Sequence, residues 1–374
     1  MKIVIAPDKF KNSLTGLQFC NAVEVGIKTI LPNATILKLP LADGGDGTID
    51  VVNHYLNGTI VKIQVNNPFF QPIEASYLYS ENSKTAFIEM AEASGVKLLE
   101  PYEFDCKKAT TLGTGEMILD AINKGATKII LGIGGSATND CGIGMAVALG
   151  YRFLDKNREE IKPIGANLSQ ITSIDFAGVH PKLKSIQFQV ACDVTNPLYG
   201  ENGAAYVYGA QKGASQIDIE MLDKGLKDFS KIIKKTFGVE AQLVKGAGAA
   251  GGMGIASKVF LNGALESGIQ LVKHLANFDA HIEDADWIIT GEGKLDSQTF
   301  LGKTIQGVIA SANAKNIRVA TFCGAIDLDK NSIKKFGIDY SDAVLKHSKN
   351  LDDAMQNGFD YVKIMAAKFA NTLS

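Results

Sequence analysis

The chain has 374 residues, 46% hydrophobic and 21% charged, enough apolar material for a sizeable core and a length that favours two domains over one. Its 38 basic and 40 acidic residues leave a net charge of -2 without a long run of either sign, so the electrostatic footprint of nucleic-acid binding is missing. Met1 opens on KIVIAPD, without a basic start followed by a long apolar stretch, and no run approaches the roughly 18 uninterrupted apolar residues of a membrane span; no membrane partner and a cytoplasmic location are expected. The five cysteines lack close pairing and read as reduced structural thiols, and the five histidines show no metal spacing.

In chain order, KIVIAP reads as a strand, about 13–30 as a helix, ATILKLP as a strand, and a helix follows from about Thr48. Next come TIVKIQVNN, IEASYLYS and TAFIEMA, strands close enough to be hairpin neighbours, then a helix, the strand KIIL and a glycine loop. The runs SIQFQVACDV and AAYVYGA follow, and KGAGAAGGMG reads as a tight loop entering a helix. From 285 the alternation returns: DWIIT, a helix over about 299–312, IRVATFC, a helix near 330–336, DAVLK, and a last helix from about Leu351. The expected class is α/β: residues 1–60 and 285–374 form a discontinuous flavodoxin-like domain with a doubly wound parallel sheet, and 61–284 form an inserted mixed α/β domain.

Five polar, glycine-bearing loops each follow a predicted strand: PDKFKNS, LADGGDGT, GIGGSATND, CDVTN and GEGKLDSQT. In open parallel sheets ligands bind outside the carboxyl ends of the strands, where helix N-termini also present unpaired amides. These loops carry the carboxylates Asp8, Asp43, Asp46, Asp140, Asp193, Glu292 and Asp296. Lys9, Lys11, Lys294 and Lys303 fall in or beside the same loops, and Lys212 is grouped with them. Carboxylates able to hold Mg²⁺, lysines able to neutralise phosphate and bare backbone amides are the parts needed for phosphoryl transfer. Three other readings compete. Gly132, Gly134 and Ala137 fit the G-x-G-x-x-A dinucleotide pattern, with Asp155 placed for a ribose contact. SQTFLGKT ends like a phosphate loop but has Ser297 where the first glycine belongs, and the aspartates also suit helix caps and turns.

Taken together, APDKFKNSL, LADGGDGT, GIGGSATNDCGIGMAVALG, ACDVTNPLYGENGAA, GAQKGA, GAGAAGGMG and GEGKLDSQTFLGKT resemble the successive signature blocks of the bacterial class I glycerate kinases, in order from residue 1 to about 310. The resemblance implies a flavodoxin-like domain carrying an insertion, restriction-endonuclease-like in that family. It also implies ATP with Mg²⁺ as donor, D-glycerate as acceptor and 2-phosphoglycerate as product. Lys9, Asn12, Ala210 and Ile305 stand where the family more often has serine, glycine, proline and proline, which bears on fine substrate choice.

The expected site binds glycerate between the two domains, with closure excluding water. Asp193, at the end of a buried strand with Asn196 just beyond, is the first choice for general base or metal ligand. Asp296 and Lys11 complete the catalytic set, and Asp43, Asp46 and Glu292 are the metal candidates. Gly134, Gly135, Ser136, Thr138, Asn139, Asn196, Lys9, Lys212 and Lys303 are expected to hold substrate or phosphate. A monomer or small homo-oligomer is expected. The alternatives are a nicotinamide-dependent oxidoreductase acting on a small hydroxy acid and a non-catalytic small-acid binding protein.

Overall fold

The computed structural model describes residues 1–44, 48–300 and 304–374. The chain divides into two compact units, Met1–Tyr55 with Ser267–Ser374, and Leu56–Glu266. The strands of the two main sheets are β1 (Lys2–Ile5), β2 (Thr35–Lys38), β3 (Thr59–Asn66), β4 (Pro72–Ser80), β5 (Thr85–Glu89), β6 (Lys128–Gly132), β7 (Gln187–Ala191), β8 (Ala264–Glu266), β9 (Trp287–Thr290), β10 (Arg318–Cys323) and β11 (Tyr340–Ala343). The helices used below are α1 (Gly16–Ile30), α2 (Thr48–Leu56), α3 (Leu112–Asn123), α4 (Ile143–Ala148), α5 (Gln216–Phe237), α6 (Ala249–Leu261), α7 (Gly268–Leu275), α8 (Thr304–Ala314), α9 (Leu351–Gln356) and α10 (Gly358–Asn371).

The first unit is built on a wholly parallel sheet of order β11-β10-β9-β1-β2, which is 2-1-3-4-5 in the order these strands occur along the chain. Ile3, Val4 and Ile5 are fully buried, as a strand covered on both faces requires. Helix α1 starts at a capping box in which the Thr15 hydroxyl accepts from the Gln18 amide and the Gln18 side chain accepts from the Thr15 amide. Its stripe of Phe19, Val23 and Ile27 packs into one cluster with Val362, Met365 and Phe369 of α10. The two helices touch closely at Gly26, where a Cβ would lie 2.3 Å from the Lys363 carbonyl oxygen.

The second unit holds a mixed sheet of order β8-β7-β6-β5-β4-β3. The hairpin neighbours β3, β4 and β5 pair antiparallel, and β5, β6, β7 and β8 pair parallel. Register places Glu89, Gly132 and Ala191 side by side at the carboxyl edge. The longest helix, α5, starts at a Ser215–Asp218 capping box and stops at Gly238, whose φ of 70° supplies the left-handed turn.

Two expectations change. The run AAYVYGA, read among the strands, is helical at Ala204–Tyr208: Ala204 and Ala205 are buried against the core while Tyr206 and Val207 are exposed, a pattern too short to separate the two periods. In the segment Ser267–Ser374 of the first unit, Lys273 of α7 donates to Ser311 of α8, and Gly268 lies against the Asp43 backbone. The last helical stretch is two helices, α9 and α10, parted at Asn357.

Candidate active site

In the second unit the chain leaves β6 through an exposed pair, Gly134 and Gly135, and then five consecutive residues, Ser136 to Asp140, are buried although four are polar. Gly135 has a φ of 69°, a conformation that L side chains resist. Gly134 has no positive φ, and a Cβ built on it would meet nothing within 4 Å. Neither backbone strain nor packing requires glycine at 134; its amide simply stands uncovered.

The buried stretch is braced from several sides. Lys212, itself buried, donates from Nζ to Ser136 Oγ at 2.7 Å and to the Thr138 carbonyl at 2.9 Å. Burial pulls its pKa down to about 8, opposed by the nearby Cys106 and Asp140. The Asp140 carboxylate accepts from the amides of Thr111, Gly142 and Gly144 and from the Thr111 hydroxyl, so it pins the loop to the starts of α3 and α4. Burial pushes the Asp140 carboxyl up, and these donors pull it back. Ala250, Gly251 and Gly252 form a left-handed run at the head of α6, and a Cβ on Gly251 would lie 2.1 Å from the Thr138 carbonyl oxygen. The glycine tract KGAGAAGGMG is thus the seat of the loop, which explains its composition.

Two polar atoms in this loop stay unpaired while buried: Thr138 Oγ1 and Asn139 Nδ2. An orphaned buried polar group costs about 1–3 kcal/mol, so the loop holds polar groups that the chain itself leaves unsatisfied. Asp193 lies two residues beyond Ala191 on the neighbouring strand, just as Gly134 lies two beyond Gly132, and Asp193 is exposed. Asn196 is already engaged: its Nδ2 donates to the Asn202 carbonyl, its Oδ1 accepts from Tyr208, and its carbonyl takes the Gly248 amide. The register also brings Glu89 opposite Gly132, a carboxylate that the sequence reading passed over because TAFIEMA looked like a plain strand.

In the first unit, the loops after β1, β2 and β9 bring Asp8 and Asp43 near each other, beside the start of α8. Thr304 Oγ1 donates to Asp8, whose pKa rises to about 6, chiefly through burial and further through the charge of Asp43. The Lys9 amide donates to Asp8 Oδ1. Glu292 accepts from Thr299 Oγ1, which in turn accepts from the Asp296 amide, so this loop is internally tied. Lys294 is 3.2 Å from Asp327, and Lys11 is exposed on the first loop. Thr304 was missed because the sequence directed attention to Lys303 beside it. Asp46 and Lys303 lie outside the described residues.

Among the described residues no group of three or more His, Cys, Asp or Glu side chains is placed to hold a metal. The Asp155 carboxylate accepts from the amides of Asn157 and Glu159, so it closes a turn and offers no support for a ribose contact. The five cysteines are free thiols, and no helix among the described residues is long and apolar enough to cross a membrane.

Carboxylates, lysines and uncovered amides at the carboxyl edges of parallel strands are parts that phosphoryl transfer in an α/β enzyme uses. The sequence profile of the glycerate kinase family matches residues 3–374. A glycerate 2-kinase of Escherichia coli K12 is 43% identical over 374 residues, covering 100% of this chain and 98% of its own. A glycerate kinase of Bacillus subtilis 168 is 41% identical over 373 residues, covering 100% and 98%. A crystal structure from Salmonella typhimurium LT2 superposes with a TM-score of 0.89 at 41% identity, over 100% of this chain and 98% of that one. The chain belongs to the glycerate kinase family. It is an enzyme that phosphorylates glycerate, and its family places ATP as the phosphoryl donor.

Proposed function

We propose that the enzyme transfers the γ-phosphoryl group of Mg²⁺-ATP to the 2-hydroxyl of D-glycerate. The observation that carries this reading is the loop Gly134–Asn139, with its uncovered amide, its two orphaned buried side chains and Lys212 beneath it. A carboxylate seated on the exposed backbone of Gly134 and Gly135 presents its neighbouring hydroxyl first. The full-length similarity to a glycerate 2-kinase supports the same position.

In this reading the acceptor hydroxyl oxygen bonds to the γ-phosphorus, the bond from that phosphorus to the β,γ-bridging oxygen breaks, and ADP leaves. Asp193 takes the hydroxyl proton. Asp8 and Asp43 are the pair best suited to hold Mg²⁺, which needs only one or two carboxylates beside phosphate oxygens and water. When bound, the ion neutralises charge on the transferring phosphoryl group. Glu292 and Asp296 keep supporting roles, and Lys9 and Lys11 attract phosphate. The strand order 2-1-3-4-5 supports a flavodoxin-like first unit, and the inserted unit is read as restriction-endonuclease-like. The enzyme is assigned to the cytoplasm, as a monomer or small homo-oligomer without nucleic-acid partners.

Asp193→Asn tests the base assignment. The expected outcome is a fall in kcat of at least about a hundredfold with melting temperature and glycerate KM near wild type. Full activity per folded molecule together with a lowered melting temperature would show a turn residue instead.

A further inference from the structure

The first unit contains a cavity of about 410 Å³ at the carboxyl ends of β1, β9, β10 and β11. That volume lies in the range of about 300–1,000 Å³ usual for small-molecule and cofactor sites. Phe10, Val344, Leu345 and Met355 make its apolar wall. Phe10 is held by stacking on Phe19 at 5.1 Å, so that part of the wall is fixed. Opposite in chemical character, Gly293 and Gly324 contribute bare backbone, Lys11 contributes positive charge, and Lys294 adds an ammonium paired with Asp327 at 3.2 Å.

Glycerate has no surface to match such a cavity: it is small and polar on every carbon. The occupant that fits has a flat apolar body and an anionic end. Gly293 sharpens this. It has no positive φ, and a Cβ built there would have only the Lys11 amide nitrogen within 4 Å, at 3.8 Å. Glycine is therefore not imposed by strain or by packing within the chain, and its absent side chain leaves a flat wall. Gly324 differs, since its Cβ would press to 2.4 Å of the Gly293 carbonyl oxygen. The position also agrees with the general rule that open parallel sheets bind their ligands outside the carboxyl ends of their strands.

We infer that this cavity receives the adenosine end of ATP, with Lys11 and Lys294 turned to its phosphates. The inference rests on the kinase reading and adds where the nucleotide is gripped. The base is held by apolar contact against Phe10 and the segment Val344–Leu345, and α9 closes the far side with Met355.

Leu345 and Leu351 line the cavity and are 42% and 60% exposed, so larger side chains there need not disturb the core. Leu345→Trp, Leu351→Trp and Gly293→Ala are each compared with wild type in the full-length enzyme. The expected result is a rise in ATP KM of at least tenfold with glycerate KM within about twofold. Adenosine should compete with ATP in wild type and lose that effect in the variants, whereas inhibition by inorganic tripolyphosphate should persist. Titration calorimetry with ADP, glycerate absent, gives a readout independent of the reaction. Weakened ADP binding in the variants supports the site even if the assignment of Asp193 or of the 2-hydroxyl fails. Unchanged ATP KM and ADP affinity in folded variants of an active enzyme would overturn it while leaving the kinase reading in place.

Discussion

At the scale of single residues, Lys212 shows how burial and function oppose each other. An ammonium removed from water costs free energy unless its partners compensate, and here two acceptors share one charge with a desolvated site. With a pKa near 8, Lys212 is charged below that pH and neutral above it. If its charge helps to hold glycerate's carboxylate, glycerate KM should rise as pH passes upward through about 8, by several-fold, and Lys212→Met should bind weakly with a flatter profile. Stability should change in the opposite sense. Between about 8 and the ordinary 10.5 the unfolded chain binds more protons at this lysine than the folded one, so its contribution makes folding more favourable as pH rises. Steady-state kinetics and chemical unfolding over pH 7–10.5 read the two trends separately. A glycerate KM that stays level across pH 8 would remove Lys212 from substrate binding and leave it as a brace for Ser136 and Thr138.

At the scale of elements, two glycines make opposite predictions. Gly134→Ala meets no atom and no forbidden φ, so melting temperature should stay near wild type while glycerate KM rises about tenfold. Gly251→Ala forces a Cβ towards the Thr138 carbonyl at a φ of 71° and should cost about 1–3 kcal/mol in stability as well as activity. Thermal melting and kinetics on the same preparations distinguish an uncovered amide from a packed seat. Much of this was legible in the sequence. The buried strands KIVI and WIIT announced the parallel sheet through unbroken β-branched runs, and the polar loops after them marked its carboxyl edge. The seat formed by Gly251 was not legible, because a contact between residues 138 and 251 leaves no local pattern. The surroundings of Asn196 were hidden for a related reason: its spacing from Asp193 does not disclose that Tyr208 and Asn202, brought back by the short helix Ala204–Tyr208, engage its polar atoms. The packing of α7 was not legible either, because amphipathic periodicity identifies a buried face without naming what covers it.

At the scale of the whole molecule, the first unit's sheet joins strands from both ends of the chain, with β9 hydrogen-bonded beside β1. A fragment of residues 56–266 carries a complete mixed sheet and its own core, and should unfold cooperatively in urea. A fragment of residues 1–266 lacks β9, β10 and β11 and leaves β1 as an open edge, so it should aggregate or show only the transition of the shorter fragment. A second cooperative transition from residues 1–266 would contradict the discontinuous arrangement. The most direct test of the whole account concerns the product that the intact enzyme releases. With ATP, Mg²⁺, D-glycerate and enolase, but without phosphoglycerate mutase, transfer to the 2-hydroxyl predicts immediate formation of phosphoenolpyruvate. A signal that appears only after the mutase is added would show transfer to the 3-hydroxyl and contradict the seating of the carboxylate in the Gly134–Asn139 loop.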